Sequence, residues 1–299
     1  MDELHWWEIS VQVDGEAAEA VCELFNCYGQ GGAVVEQIVD EANGGETPAT
    51  LTAVVKAYLP VTQQGRKSRQ RLEEGLWHLS QLYPIPSPQI RELAQADWAT
   101  AWREQFTVLH IGRRLVVRPT WLSYSPPPDE VVIELDPGMA FGTGLHPTTR
   151  QCLLALEKYL RPGMSVLDLG SGSGILAIAA AKLGADAVLA LDTDPTAVEV
   201  ARANVRANGV QERITVAHGS LPEVQGTFDL VLVNILARVI VELVAQGLID
   251  RLKAGGFIVT AGIIEEQTAE VEAALCGQGI TIVERQVERD WVSLVGQKA

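Results

Sequence analysis

The residues best suited to chemistry lie between Val166 and Ala177, in the run Val166-Leu167-Asp168-Leu169-Gly170-Ser171-Gly172-Ser173-Gly174-Ile175-Leu176-Ala177. The apolar residues ahead of the glycines predict a buried parallel strand. Ile175, Leu176, Ile178 and Ala179 to Ala181 predict a helix directly behind them. Strand, glycine loop and helix together present a ligand at the carboxyl end of a strand. Glycine lets the backbone approach that ligand, and the first helical turn offers N–H groups with no acceptor inside the helix. The next predicted strand, Ala187 to Leu191, runs into Asp192, 22 positions after Gly170. A carboxylate there suits two ribose hydroxyls, so the expected ligand is a nucleoside. Asp192 also has a plainer reading as a helix cap, but Asp194 before Pro195 fills that role better.

Two readings of the glycines compete. The nicotinamide pattern Gly-x-Gly-x-x-Gly fails from Gly170, where Ile175 holds the last place, and survives as Gly172-x-Gly174-x-x-Ala177. The alternative is an acid followed by Gly-x-Gly-x-Gly, the first motif of S-adenosylmethionine-dependent methyltransferases, which Asp168 and Gly170 to Gly174 match. Both cofactors carry a ribose, so Asp192 does not choose between them. A turn with no ligand is the third possibility.

The 299 residues suffice for one large or two ordinary domains, and a hydrophobic content of 47% supports a sizeable core. The four cysteines, at 22, 27, 152 and 276, form no C-x-x-C pair and no disulfide framework. Reduced thiols and a cytoplasmic location are expected. Acids at positions 2 and 3 are unlike a signal peptide, and no apolar run would span a bilayer. No metal is expected. Net charge is −15, from 38 acids against 23 bases. Binding to bare nucleic acid relies on Lys and Arg neutralising phosphates, so no direct nucleic-acid contact is expected. Residues 1 to 50 hold eleven acids and no Lys or Arg, which suits either solubility or attraction for a basic partner.

Around this centre the periodicities place the other elements. Strand His5–Val13, helix Glu16–Cys27, strands Ala33–Val39 and Leu51–Leu59, helix Arg69–Leu82 and strand Gln89–Leu93 are expected, with a turn at Asn43-Gly44-Gly45. The order β-α-β-β-α-β is the ferredoxin-like split unit, with no catalytic cluster in it. A connector helix follows, with Trp98, Trp102 and Phe106 on one face. Strands Leu115–Pro119 and Val131–Leu135 flank Pro126-Pro127-Pro128. The loop Asp136 to Thr149 leads into a helix Arg150–Leu160 begun by Thr148 or Thr149. After Asp192 come helix Thr196–Asn208, strands Ile214–Ala217 and Phe228–Val233, helix Arg238–Leu252 and strand Phe257–Ala261. Helix Glu265–Leu275 and strands Ile280–Arg285 and Trp291–Val295 finish the chain. Alternating strands and helices predict a doubly wound α/β sheet. The last two strands are joined too briefly for a parallel crossover, so one antiparallel strand is expected in it. Predicted domains are 1–93 for recognition, 94–110 as connector and 111–299 for the cofactor.

The stretch Asp136-Pro-Gly-Met-Ala-Phe-Gly-Thr-Gly-Leu-His-Pro-Thr-Thr149, with Asn234-Ile-Leu-Ala237 and Trp291-Val-Ser-Leu-Val-Gly296, resembles the bacterial methyltransferases of large-subunit ribosomal protein eleven. The resemblance runs over the whole chain, including the Trp6-Trp7-Glu8 start. It implies a class I methyltransferase sheet behind a small substrate domain, with S-adenosylmethionine as cofactor. It implies methyl transfer to lysine ε-amines and the N-terminal α-amine of that basic ribosomal protein; separately, a monomer is expected. By motif, Thr149, Asp168, Gly170, Gly172, Gly174, Asp192 and Asn234 are the expected cofactor contacts.

Methyl transfer to an amine is an in-line displacement that needs positioning and a free lone pair. Asn234, at a strand's carboxyl end, is the expected catalytic residue, its side-chain carbonyl and the Ile235 carbonyl accepting amine N–H bonds; its alternative role is a helix cap. Enzymes methylating amides or adenine carry Pro-Pro and an aromatic after this Asn, where Ile235-Leu236-Ala237 stands here. His146 is read as structural. Methylation of another basic protein or a small amine, nicotinamide oxidoreduction, and non-catalytic cofactor binding are the competing functions.

Overall fold

The computed structural model describes residues 5–29, 33–39, 51–81, 83–94, 107–135, 144 and 146–299. The expected connector helix with Trp98, Trp102 and Phe106, the turn at Asn43 to Gly45, and most of the loop from Asp136 to Leu145 lie outside them. The chain divides into two compact units, Met1–Phe106 and Thr107–Ala299. Among the described residues no helix is long and apolar enough to cross a membrane, and no group of His, Cys, Asp or Glu could hold a metal ion.

The first unit comprises β1 (His5–Asp14), α1 (Gly15–Tyr28), β2 (Val34–Val39), β3 (Leu51–Pro60), α2 (Gln63–Leu79) and β4 (Gln89–Ala94). Its sheet runs β2-β3-β1-β4 with every neighbouring pair antiparallel. Alternation along β1 sends Trp7, Ile9, Val11 and Val13 into a core with Val21, Phe25, Leu72 and Leu76 from the two helices. On the other face Glu8 is buried, accepting a hydrogen bond from Tyr58 Oη at 3.0 Å and pairing with Arg91 at 3.2 Å. α2 starts six residues before the expected Arg69, because Thr62 caps it by accepting the Gly65 N–H at 3.1 Å.

The second unit opens with β5 (Leu109–Ile111), β6 (Leu115–Pro119) and β7 (Val131–Leu135). β5 and β6 are antiparallel, whereas β6 and β7 are parallel, so the Pro-rich link between them is a crossover. α3 (Pro147–Tyr159), β8 (Ser165–Leu169), α4 (Ile175–Lys182), β9 (Ala187–Asp192), α5 (Pro195–Ala207), β10 (Ile214–His218), β11 (Phe228–Asn234), α6 (Ala237–Ala245), β12 (Leu252–Ile264), α7 (Thr268–Gly277), β13 (Ile280–Glu288) and β14 (Trp291–Lys298) follow. The sheet order is β10-β9-β8-β11-β12-β14-β13. β14 alone runs against its neighbours, as the short β13–β14 link requires. α6 stops seven residues before the expected Leu252, since Gly247 turns the chain at a φ of 95°. One sheet face packs α3, α4 and α5, with Leu153, Leu156, Ile178 and Val198 in that core. The other packs α6 and α7 through Ile240, Leu243, Val271 and Leu275.

Candidate functional site

Sheet register brings the predicted residues to one edge. Leu169 of β8 pairs with Leu191 of β9 and Val233 of β11. One residue further on, Asp192, Gly170 and Asn234 therefore stand in a row at the strands' carboxyl ends. Strand order reverses here, because β8 is followed in sequence by β9 on one side and flanked by β11 on the other. A crevice at such a switch point is where open α/β sheets hold ligands.

The glycine loop is held on both sides. Gly170, Gly172 and Gly174 all take positive φ, at 75°, 53° and 81°. Gly170 and Ser171 donate their N–H groups to Leu191 O at 2.8 and 3.0 Å. Gly172 donates to Asp192 Oδ2 at 2.8 Å, while Asp192 Oδ1 accepts the Asp194 N–H at 2.9 Å. A Cβ on Gly170 would overlap Ile235 Cγ2, so the loop is seated against the turn after Asn234. From the far side Asn204 of α5 donates to Ser173 O at 2.9 Å.

Asp168 is fully buried. Burial pushes its carboxyl up from 3.8 to about 7, the Ala177 N–H in the first turn of α4 opposes this, and the Asp192 charge adds to it. Neither Asp168 oxygen closes a hydrogen bond among the described residues. Cys152 of α3 is also fully buried, and burial followed by the Asp168 charge drives its thiol far up. Cys152 packs in one core with Val166, which shares a face of β8 with Asp168, so α3 lies on that face. Thr149 lies one turn before Cys152, is buried, and has a hydroxyl without a partner among the described residues. Ser171 Oγ and Asn234 Oδ1 are buried and unpartnered in the same sense. Buried polar atoms are normally satisfied, so this cluster around one loop marks a place for a polar ligand.

α3 begins at Pro147, ahead of the expected Thr148 or Thr149, and His146 is its N-cap. His146 Nδ1 lies 2.8 Å from Thr148 Oγ1 and 3.4 Å from the Thr148 nitrogen. Burial lowers its pKa, which suits a neutral accepting ring. The ring meets Trp291 edge-on at 4.8 Å, and Gln151 Nε2 donates to Trp291 O at 3.1 Å. Gly144, from the loop before α3, sits where a Cβ would be 3.5 Å from Ile175 Cδ1, at the mouth of α4.

Three residues escaped the sequence reading. Asn204 had a signal: a poor helix former on the apolar face set by Ala197, Ala201 and Val205. Gly262, with a φ of 83°, lies so close to the Ile235 carbonyl that a Cβ would overlap it. Gln151 acts on a strand 140 positions away, which no local pattern could report.

The polar set, the glycine cradle and the row of strand ends fit a nucleoside with a charged tail. A family model described as ribosomal protein L11 methyltransferase matches residues 5–299. A protein of that name from Chloroflexus aurantiacus is 47% identical over all of this chain and 99% of its own. Another from Herpetosiphon aurantiacus is 42% identical, over 99% of each. A crystal structure of a ribosomal protein L11 methylase from Lactobacillus delbrueckii subsp. bulgaricus superposes with a TM-score of 0.58 at 35% identity, covering 65% of this chain and 99% of that one.

Proposed function

This chain belongs to the ribosomal protein L11 methyltransferase family, and from that premise we propose that it transfers methyl groups from S-adenosylmethionine to amines of ribosomal protein L11 through Asn234. The observation that carries the reading is the buried, unpartnered Asn234 Oδ1, in line with Gly170 and Asp192 at the switch point.

The cofactor, when bound, supplies an electrophilic methyl group. Asp192 accepts the ribose hydroxyls while still holding Gly172. Thr149, Asp168 and Ser171 offer acceptors and hydroxyls for the charged tail, and the glycines keep side chains out of its path. The acceptor amine must be neutral. A lysine near pKa 10.4 costs about 4.6 kcal/mol to deprotonate at pH 7, whereas an α-amine near 8 costs far less. Asn234 Oδ1 and the Ile235 carbonyl accept the N–H bonds of the neutral amine and aim its lone pair. No aromatic follows Asn234, in keeping with a tetrahedral amine rather than a flat amide or base.

The first unit takes the ferredoxin-like role of substrate recognition, supported by its strand order and by the eleven acids among residues 1 to 50. A basic ribosomal protein is drawn to a segment of such charge. The test is to incubate the protein with labelled S-adenosylmethionine and separated ribosomal proteins, then map the label. Label on lysine ε-amines or the α-amine of ribosomal protein L11 is expected. Label on another protein, or none, refutes the assignment.

A further inference from the structure

Leu236 follows Asn234 by two residues and is out of place by two ordinary measures. It is 68% exposed, the most exposed large apolar side chain among the described residues. It is also the N-cap of α6 and makes no side-chain capping bond. Ser, Thr, Asp or Asn at an N-cap satisfies an N–H of the first helical turn, and leucine cannot. Thr62, His146 and Asp194 do this for α2, α3 and α5. A leucine here serves neither the core nor the helix. Departures from both rules at one position are expected where function sets the residue.

The backbone that carries Leu236 is fixed. Ile235 Cγ2 lies where a Cβ on Gly170 would fall, and the Ile235 carbonyl lies against Gly262. The Leu236 carbonyl accepts the Val239 and Ile240 N–H groups at 2.9 and 3.1 Å. Ile235 before it is half-buried, and Ala237 after it is buried. Two residues of chain separate Cα atoms by at most about 7 Å. Leu236 is therefore a bare apolar side chain close beside Asn234, just past the end of β11, on a turn with little freedom.

We propose that Leu236 is a specificity-determining residue, the apolar wall for the methylene stem of the lysine whose ε-amine Asn234 receives. The inference rests on the proposed amine methylation and deepens it. An ε-amine arrives on a flexible four-carbon stem, which is stabilised when it lies along apolar surface. An α-amine has no stem, because its nitrogen sits directly on the backbone carbon. Leu236 thus favours lysine, and offsets part of the handicap that its higher pKa imposes.

The experiment uses the full chain, unmodified ribosomal protein L11 and labelled S-adenosylmethionine, with Leu236→Ser, Leu236→Ala and Leu236→Met. Methyl groups on lysines and on the α-amine are counted by mass spectrometry in one reaction, so both amines compete for the same enzyme. Leu236→Ser should lower lysine methylation relative to the α-amine about tenfold, roughly the worth of covering two of the four methylenes. Leu236→Ala should fall between, and Leu236→Met should keep the parental ratio. S-adenosylmethionine affinity should not change. The serine variant should melt with the parent or up to about 4 °C above it, because it gains the missing cap. A lysine rate unchanged in Leu236→Ser overturns the proposal. Equal loss at both amines would make Leu236 a support for Asn234, and weaker cofactor binding would assign it to the cofactor; either overturns the proposal too. A parent that labels no lysine of ribosomal protein L11 refutes the lysine-methylation reading itself and this inference with it. A parent that labels lysine, beside a serine variant that does so equally well, refutes this inference alone.

Discussion

Replacing Asp168 with asparagine should make the cofactor unit more stable, by an amount that depends on pH. Burial raises the Asp168 carboxyl from 3.8 to about 7. Below 3.8 it is protonated in both folded and unfolded chains and contributes no difference. Between 3.8 and about 7 the folded chain keeps a proton that the unfolded chain has released, so stability falls as pH rises. Above about 7 both forms are ionised and the full cost persists. A gap of about three pH units, at 1.36 kcal/mol each, is about 4 kcal/mol. The amide of Asp168→Asn would mimic the neutral carboxyl at every pH. The variant should therefore exceed the parent by about 1.5 kcal/mol at pH 5 and about 4 kcal/mol at pH 8, the latter worth about 10 °C in melting temperature. Urea unfolding of both proteins across pH 5 to 9 measures the difference. A difference that stays constant with pH would refute the raised carboxyl at Asp168. In the proposed reading a cationic cofactor favours the ionised carboxylate. S-adenosylmethionine should then bind the parent more tightly as pH rises through about 7, and bind Asp168→Asn weakly at every pH.

Asp192→Ala should lose the Gly172 clasp and the ribose acceptors, weakening S-adenosylmethionine by about 2–4 kcal/mol in calorimetry; unchanged affinity would remove the ribose assignment. Asn234→Ala should lower turnover by about a hundredfold or more, far more than it weakens S-adenosylmethionine binding, and near-normal turnover would leave Asn234 without a catalytic role. Gly262→Ala should force the Ile235 carbonyl aside, because the added methyl overlaps it and the positive φ strains alanine. Single-turnover methylation should then fall about tenfold or more while the cofactor still binds, and a normal rate would show that the carbonyl is not needed.

What the sequence made legible was local. The strand, glycine loop and helix from Val166 onward could be read because apolar run, glycines and alanines each name one conformation. The Asp194-Pro195 cap was equally legible, and Asp194 Oδ1 does accept the Thr196 N–H at 2.8 Å. The hairpin of β13 and β14 followed from link length alone. Where one residue decided a boundary, the reading slipped: Thr62 advanced α2, Gly247 cut α6 short, and a histidine took the cap expected of threonine. β5 escaped because three residues carry no period. The Ile235–Gly262 contact and the Asn204 bond to Ser173 were illegible because each joins segments that only the folded sheet brings together.

The position of β14 has a consequence for biosynthesis. β13 is made before β14, yet β14 is its neighbour in the sheet and separates it from β12. An emerging chain therefore carries β13 with nothing to join until the following strand arrives. Trp291, at the start of β14, also receives the Gln151 hydrogen bond and the His146 ring, so α3 gains these fixings 140 residues after its own synthesis. At roughly 5–20 residues per second that delay is on the order of ten seconds. The glycine loop, built from neighbours in sequence, can form early. The helix that carries Thr149 is locked late, by long-range contacts that are slow to find. A nascent chain would thus hold the cradle for its cofactor well before the wall around it, and would become competent only once its last strand is in place.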